Sequence, residues 1–404
     1  MRARLVVVAL IAALVPLQVA AIVRSGRPAL ANPYRTVFSP SFIGAAAGDL
    51  NGDGAPDLVG LSFGLNVYLS PAFSAPAQMF GTFFSAPSVV DVDGDGDLDV
   101  VALDQEQKPP ASKCSGGRGG VVGTLLNDGR ANFTLLQCRL EGWSPRSVVG
   151  LADLTGDGRV DLLVIADPVG GRGEPASLVV AAGSGDGQFG SAQAVPGLQA
   201  GGFARSQVAL ADIDGDGRVD VVTTVSSGRR LQLVRTIGKG QFAAPTPMGA
   251  EGQLDELAVG DLNGDGAADV IGTTTDGTHL SVLWNRNGTL VDGPVLETGT
   301  HSERVIASPA FPPGSITDFV GVGDLDGDGD IDIVAEISPG PHNRLPRKGR
   351  VRVFVNSGGE AFTGAQTVGG RAGGARPVLL TDLDGDATTD MVAVGRVLIS
   401  GKLG

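Results

Sequence analysis

The sequence predicts an all-β protein, a seven-bladed β-propeller of four-stranded antiparallel blades that is closed by N- and C-terminal strands sharing one blade. A nine-residue motif, Asp-x-[Asp/Asn/Thr]-Gly-Asp-[Gly/Ala]-x-x-Asp, occurs seven times in 404 residues. It recurs roughly every 55 residues, which is typical of repeat architectures. Short β-branched runs between Gly-rich turns, with 63 Gly in all, indicate strands rather than helices.

A first strand precedes each motif and a second strand follows it. The predicted first strands are rich in small residues: Ile43–Gly48, Ser88–Val90, Ser147–Ala152, Gln207–Ala211, Leu257–Gly260, Val320–Gly323 and Val378–Thr381. The second strands are more strongly apolar: Leu58–Ser62, Val100–Leu103, Leu162–Ala166, Val221–Val225, Val270–Thr274, Ile333–Ile337 and Met391–Val394. Small residues favour the first strand as the one nearest the crowded propeller axis.

A hairpin then leads into the third and fourth strands of each repeat. The third strand ends in a Gly or Asn turn of the kind that positive φ angles require, and a Phe opens the fourth strand, as at Phe133, Phe189, Phe242 and Phe362. The last repeat ends at its third strand, Val397–Ser400, and Tyr34–Phe38 is available as its fourth. Pairing these two segments closes the ring without a free edge.

The N-terminal segment resembles an export signal. A basic Met-Arg-Ala-Arg start precedes an apolar run from Leu5 to about Val23, with cleavage possible after Ala21 or Ala31. We therefore divide the chain into a signal peptide, residues 1–31, and one propeller domain, residues 32–404. An uncleaved membrane anchor is the alternative, because the run is long enough for a short span. Either way we expect a secreted, periplasmic or cell-surface protein.

The chain has two cysteines, Cys114 and Cys138, which flank one predicted hairpin. In an exported protein such a pair suggests a disulfide. The alternative is two unrelated thiols.

The net charge of −14 is concentrated in the motifs, which hold more than half of the 44 acidic residues. Carboxylates on alternate positions of a tight Gly-bearing turn are the ligands that Ca²⁺ prefers. An acidic chain without a basic face also excludes nucleic-acid binding.

We name the motifs loops 1 to 7 and predict their ligands at motif positions 1, 3, 5 and 9, with a backbone carbonyl at position 7. The candidate metal ligands are Asp49, Asn51, Asp53 and Asp57 in loop 1; Asp91, Asp93, Asp95 and Asp99 in loop 2; Asp153, Thr155, Asp157 and Asp161 in loop 3; Asp212, Asp214, Asp216 and Asp220 in loop 4; Asp261, Asn263, Asp265 and Asp269 in loop 5; Asp324, Asp326, Asp328 and Asp332 in loop 6; and Asp382, Asp384, Asp386 and Asp390 in loop 7.

The loops differ in charge, so we expect calcium at up to seven of them. Loops 2, 4 and 6 have four carboxylates each, whereas loops 1, 3 and 5 have Asn51, Thr155 and Asn263 at position 3. Loop 7 has Ala387 where the others have Gly, which predicts a strained or altered turn. Its site is therefore the doubtful one.

The motif and the strand that precedes it resemble the FG-GAP repeat, and the Asn-x-Gly-x-x-x-Phe hairpin resembles the related VCBS-type repeat. Both are similar to the blades of the integrin α-subunit propeller. The resemblance covers about residues 33 to 404 and implies a calcium-binding propeller. It also implies that partners bind on the face away from the calcium loops.

No catalytic motif accompanies the repeats: the sequence contains no G-x-S-x-G, H-E-x-x-H, C-x-x-C or P-loop pattern, and its three histidines, His279, His301 and His342, have no metal or triad spacing. We therefore predict a monomeric interaction or adhesion module without enzymatic activity that binds an extracellular protein or glycan. The alternatives are a structural scaffold or assembly factor without a dedicated ligand, and a carboxylate-dependent hydrolase or lyase.

The partner is expected on long connections opposite the calcium face. These are 104–120, 167–176, 292–318 and 336–350. The last holds a basic group, His342, Arg344, Arg347, Lys348 and Arg350, which suits an anionic partner. A solvated loop is the alternative. Few aromatic residues are available for stacking on a sugar, namely Trp143, Trp284, Tyr34 and Tyr68.

Overall fold

The computed structural model describes residues 35–38, 42, 44–73, 76–81, 83, 85–104, 120–171, 174–199, 208–224, 231–249, 254–274, 279–298, 315–339, 350–363, 366–368, 377–393 and 396–399. Within these residues the regular structure is β-strand throughout, from β1 to β30. No helix among them has the length and apolar character needed to cross a membrane. The predicted signal segment and Cys114 lie outside these residues, so both remain predictions.

The strands form four-stranded antiparallel sheets, one for each motif. Strand β1 (Arg35–Phe38) belongs to the last of them. Sheet 1 contains β2 (Gly44–Gly48), β3 (Asp57–Leu61), β4 (Leu65–Tyr68) and β5 (Gln78–Phe80). Sheet 2 contains β6 (Ser88–Val90), β7 (Asp99–Asp104), β8 (Val121–Asn127) and β9 (Phe133–Arg139). Sheet 3 contains β10 (Trp143–Ala152), β11 (Asp161–Pro168), β12 (Ser177–Gly183) and β13 (Phe189–Gln199).

The second half of the chain repeats this arrangement. Sheet 4 contains β14 (Val208–Ala211), β15 (Asp220–Thr223), β16 (Gln232–Val234) and β19 (Thr246–Pro247), with a separate hairpin of β17 (Thr236–Gly238) and β18 (Gln241–Phe242). Sheet 5 contains β20 (Leu254–Gly260), β21 (Asp269–Thr274), β22 (His279–Asn285) and β23 (Leu290–Glu297). Sheet 6 contains β24 (Ser315–Gly323), β25 (Asp332–Pro339), β26 (Arg350–Phe354) and β27 (Gln366–Val368). Sheet 7 contains β28 (Pro377–Thr381), β29 (Asp390–Ala393), β30 (Arg396–Ile399) and β1.

The predicted all-β propeller with four-stranded antiparallel blades is confirmed. The first strand of each sheet contacts the first strand of the next, and β28 of sheet 7 contacts β2 of sheet 1. The predicted pairing of the chain ends is also present, because β1 is antiparallel to β30 with Arg35 opposite Ile399. Both chain ends therefore contribute to one sheet, which leaves no gap between the first and last repeats.

The hydrophobic core is divided among the interfaces between neighbouring sheets. In each loop the residue at motif position 2 is buried; these residues are Leu50, Val92, Leu154, Ile213, Leu262, Leu325 and Leu383. Leu50, for example, leaves loop 1 and packs with Val100 and Leu125 of sheet 2. Leu383 of sheet 7 packs with Leu58 and Tyr68 of sheet 1, so the same type of contact spans the ends of the chain.

Two fourth strands begin later than predicted. Phe242 does not open the fourth strand of sheet 4 but lies on the separate β17–β18 hairpin. The Gly240 amide of this hairpin donates to the Thr155 carbonyl of loop 3 at 3.1 Å, so the hairpin contacts sheet 3. The fourth strand of sheet 4 therefore forms only later, at Thr246–Pro247. Phe362 makes an isolated bridge with Asn356, and the fourth strand of sheet 6 follows at Gln366–Val368.

Gly60 of β3 packs closely against the ring of Phe42, which allows a test of the packing by its effect on stability. A Cβ added to Gly60 would lie 2.1 Å from the Phe42 ring, and Phe42 is fully buried. Gly60→Ala should therefore lower the free energy of unfolding by about 1–3 kcal/mol, measured by urea denaturation. Gly81→Ala is the matched control, because a Cβ at exposed Gly81 meets no atom within 4 Å. Equal stability of the two variants would contradict this packing.

Candidate metal centres

The aspartate at motif position 1 organises its own loop. In loop 4, Asp212 Oδ1 accepts the amides of Gly215 and Asp216 at 2.8 and 3.2 Å, and Oδ2 accepts the amide of Gly217 at 2.8 Å. The glycines at positions 4 and 6 have φ angles of 76° and 84°, which a residue with a Cβ seldom adopts. The position 6 amide makes the same bond in every other loop, to Asp49, Asp91, Asp153, Asp261, Asp324 and Asp382.

The aspartate at position 5 is also oriented by its loop. Its Oδ1 accepts the amide two residues further on, as Asp95 does from Asp97 at 2.9 Å and Asp216 from Arg218 at 2.9 Å. The remaining loops repeat this bond at Asp53, Asp157, Asp265, Asp328 and Asp386. The turn thus has an ordered hydrogen-bonded form that depends only on protein atoms.

The aspartate at position 9 fastens the loop to its sheet. Asp99 Oδ2 accepts the amide of Val92 at 3.0 Å, and Asp99 Oδ1 accepts the amide of Asn127 at the end of the third strand, at 2.9 Å. Five other carboxylates accept two amides in this manner, namely Asp57, Asp161, Asp220, Asp269 and Asp332. Asp390 accepts the equivalent amide of Leu383 at 2.8 Å. All seven are buried, with at most 1% of their surface exposed.

Three buried asparagines connect neighbouring loops, a role that sequence reasoning missed. Asn285 Nδ2 donates to the Ile213 carbonyl of loop 4 at 2.8 Å and to the Ala268 carbonyl of loop 5 at 3.1 Å. Asn127 makes the same pair of bonds between loops 1 and 2, and Asn356 between loops 5 and 6. The sequence signal for this role is the Asn that begins the hairpin turn, a residue type that is also common in turns for its backbone conformation alone.

The structure brings positions 1, 3 and 9 together wherever position 3 is Asp. One carboxylate oxygen from each of the three residues lies within 4.8 Å of the others in loops 2, 4, 6 and 7. The groups are Asp91, Asp93 and Asp99; Asp212, Asp214 and Asp220; Asp324, Asp326 and Asp332; and Asp382, Asp384 and Asp390. Oxygens at this separation, on a loop with further backbone carbonyls, fit the coordination that Ca²⁺ requires. Position 5 is predicted as a ligand but is absent from these groups.

Loops 1, 3 and 5, which are described in full, have a neutral residue at position 3 and no such group of three carboxylates. In loops 1 and 5 the side-chain amides of Asn51 and Asn263 donate to Asp53 and Asp265, each at 3.0 Å. These two loops therefore satisfy part of their acidic charge internally. The residue at position 3 therefore separates loops 2, 4, 6 and 7, where three carboxylates converge, from loops 1, 3 and 5.

Burial makes the ionised form of the position 9 carboxyls unfavourable. Desolvation raises the pKa of Asp99, Asp220 and Asp269 to about 6, although the two accepted amides act in the opposite direction. It raises the pKa of Asp332 to about 7. Nearby loop carboxylates raise these pKa values further, and a divalent cation in the loop would favour the ionised form of the position 9 carboxyls.

Loop 7 keeps the turn despite its alanine. Ala387 adopts a φ of 68°, and its amide donates to Asp382 Oδ2 at 2.8 Å, as the glycine amides do in the other loops. The expected strain is thus present as an alanine in the left-handed region, which costs about 1–2 kcal/mol. The turn is not otherwise altered, and its three carboxylates converge as in loops 2, 4 and 6.

The proposed partner surface is only partly described. His301, His342, Arg344, Arg347 and Lys348 lie outside the described residues, as does most of each long connection except 167–176. Of the aromatic candidates, Trp284 is 4% exposed and stacks on Phe362 at 6.3 Å, and Tyr68 is 7% exposed. Trp143 packs against the core between sheets 2 and 3. These three rings are engaged within the protein.

Comparison with known proteins identifies the repeats. A family model described as the FG-GAP-like repeat matches residues 153–223, 212–272 and 261–335. The chain contains FG-GAP-like repeats. Each match begins at the first aspartate of a loop, Asp153, Asp212 or Asp261, and extends through the next loop into the second strand of the following sheet. No curated protein matches the sequence.

Solved structures resemble the fold of these FG-GAP-like repeats at low sequence identity. BBS1N in complex with ARL6DN is 11% identical, with 91% of this chain and 95% of that chain covered and a TM-score of 0.51. YCF48 from Cyanidioschyzon merolae is 12% identical, with 92% and 98% covered and a TM-score of 0.50. The Tc holotoxin pore of Photorhabdus luminescens is 18% identical over 83% of this chain, which spans 16% of that chain, with a TM-score of 0.41. These similarities concern the fold alone.

The loop-bridging asparagines allow a direct test of their role. Asn285→Ala removes both carbonyl contacts and the bond that Asn285 Oδ1 accepts from the Gly288 amide at 2.9 Å. Because these groups are buried, the free energy of unfolding should fall by about 2–4 kcal/mol in urea denaturation. Asn132→Ala is the control, since exposed Asn132 bonds only within its hairpin and should change stability by less than about 1 kcal/mol. An unchanged midpoint for Asn285→Ala would rule out the bridge.

Proposed function

We propose that this chain is an exported seven-bladed propeller that calcium stabilises and that binds an extracellular protein or glycan, without enzymatic activity of its own. The observation that carries the calcium assignment is the convergence of carboxylate oxygens from positions 1, 3 and 9 within 4.8 Å in loops 2, 4, 6 and 7. Buried carboxyls with raised pKa values in the same loops support it, because a cation favours their ionised form.

Binding of a partner on the face opposite the loops is supported by the order of the strands in each sheet, which separates two kinds of connection. The calcium loops and the turns between third and fourth strands share one face, since the Ala131 amide donates to the Leu50 carbonyl of loop 1 at 2.8 Å. The second and fourth strands end on the side of the sheets opposite the loops, so we expect the long connections that follow them on that face. A partner on that face would not compete with calcium.

A protein partner is favoured over a glycan. Sugar sites commonly use an accessible aromatic face, whereas Trp284 and Tyr68 are buried in interfaces. The exposed ring on the face opposite the loops is Phe63, in the tight turn between β3 and β4, and without a polar group on the ring it suits an apolar contact with a protein. The rival proposal, a scaffold without a dedicated ligand, remains the alternative. The loop carboxylates at positions 1, 5 and 9 accept hydrogen bonds from backbone amides, so their oxygens have a structural use. This supports a non-enzymatic role over a carboxylate-dependent hydrolase or lyase.

Calcium removal should destabilise the whole propeller. Each occupied site adds about 2.7 kcal/mol when free calcium exceeds Kd a hundredfold. The melting temperature in EGTA should therefore lie many degrees below that in millimolar calcium. Millimolar magnesium with EGTA is the control and should restore little stability, because Mg²⁺ demands a smaller octahedral site. An identical melting curve with and without EGTA would refute calcium stabilisation.

Partner binding should depend on the basic group of the 336–350 connection. The change is the joint replacement of Arg344, Arg347, Lys348 and Arg350 by Gln, which removes four positive charges from an acidic chain. Capture of a purified acidic extracellular protein on the immobilised variant should weaken, with the melting temperature unchanged. Lys239→Gln, an exposed cation on the calcium face, is the control. Loss of capture only with the control would place the partner on the other face.

A further inference from the structure

Loops 2 and 4 contain the same group of carboxylates but differ in the cations around it. Each has aspartate at positions 1, 3, 5 and 9, and each brings three carboxylate oxygens within 4.8 Å of one another. At position 7, however, loop 2 has Asp97 and loop 4 has Arg218. The two loops are thus a matched pair within one chain.

Two arginines hold the carboxylates of loop 4. Arg218 Nη2 pairs with Asp216 Oδ2, and Arg218 Nε donates to the Thr236 carbonyl at 3.0 Å. Arg235 Nε pairs with Asp214 Oδ2 at 2.9 Å, and Arg235 Nη2 donates to the Gly288 carbonyl of sheet 5 at 3.2 Å. Each guanidinium is therefore fixed by a backbone carbonyl as well as by a carboxylate. Both side chains are partly shielded, with 41% and 33% of their surface exposed.

Loop 2 differs, because among the described residues no ion pair involves Asp91, Asp93, Asp95 or Asp99. At position 3 of this loop, Asp93 lies in the group of converging carboxylates with Asp91 and Asp99. In loop 4 the equivalent residue, Asp214, has one oxygen held by Arg235 while the other, Oδ1, is buried without a hydrogen-bond partner. Loop 4 therefore keeps a ligand oxygen for a metal but has already neutralised part of its charge.

We propose that Arg218 and Arg235 are built-in counter-ions that weaken calcium binding at loop 4 relative to loop 2 and keep loop 4 ordered when calcium is absent. The inference rests on the proposed calcium function. A guanidinium about 6 Å from a divalent ion repels it even in a largely aqueous environment, by roughly tenfold in affinity for each arginine. The propeller would then respond to calcium in stages, with loop 2 filled before loop 4.

Hydrogen exchange resolved by peptide can separate the two loops in the full-length chain. Peptides covering residues 91–99 and 212–220 are followed over a series of free calcium concentrations. In the wild type, loop 2 should gain protection at a calcium concentration at least about tenfold lower than loop 4. In Arg218→Gln/Arg235→Gln the midpoint of loop 4 should fall by at least about tenfold, and that of loop 2 should stay the same.

The same experiment tests whether the two arginines keep loop 4 ordered in the absence of calcium. In EGTA, loop 4 should exchange more slowly than loop 2 in the wild type, and this protection should be lost in the double variant. Gln is chosen because it keeps a donor for the Thr236 and Gly288 carbonyls while removing the charge. If the double variant does not fold, Arg235→Gln alone should shift the loop 4 midpoint by about tenfold.

Arg159→Gln is the matched control. Arg159 occupies position 7 of loop 3, and its side chain lies beside Gly185, in the turn after the third strand of its own sheet. This change should leave the midpoints of loops 2 and 4 unaltered. A loop 4 midpoint that does not move in the double variant, while loop 2 responds to calcium, overturns the counter-ion role and leaves the proposed function intact. If neither loop responds to calcium, the proposed calcium function itself fails.

Discussion

The buried carboxylate at motif position 9 is the interaction on which the repeats depend. It accepts one amide from the start of its own loop and a second from the end of the third strand, as Asp99 does from Val92 and Asn127. One side chain thereby joins the start of the loop to the third strand of its sheet. Because the group has almost no exposure to water, removing either donor would leave a desolvated carboxylate with too few partners.

This arrangement couples the loops to the core. The residue that donates to the position 9 carboxylate, such as Leu50 or Leu383, also inserts its side chain into the interface with the neighbouring sheet. Asn285 and Asn356 then connect successive loops through their carbonyls. Since the apolar core is divided among sheet interfaces, a change in one loop reaches the adjacent interface directly. An ion in the loops would stabilise the ring by the same route.

The sequence predicted the ends of the first and second strands that adjoin each motif, because the Gly and Asp of the motif bound them. The far ends were predicted less well, since β10 and β24 begin earlier than expected, at Trp143 and Ser315. The sequence also predicted the fourth strands less well. Thr246–Pro247 of sheet 4 has only two residues, and its position depends on the contact between the β17–β18 hairpin and loop 3. The role of position 9 could not be separated from that of position 1 by residue type, because both are aspartate. Burial and hydrogen-bond donors distinguish them, and both arise only from tertiary structure. The arginines of loop 4 were likewise hidden, as Arg235 lies 21 residues beyond Asp214.

The central claim is that a divalent ion and the position 9 carboxylate act in the same loop. The most direct test is an anomalous difference map from crystals grown in millimolar calcium. We expect a peak in loop 2 at about 2.3–2.6 Å from oxygens of Asp91, Asp93 and Asp99, with Asp99 still accepting the amides of Val92 and Asn127. An ordered loop 2 without any peak would contradict the account.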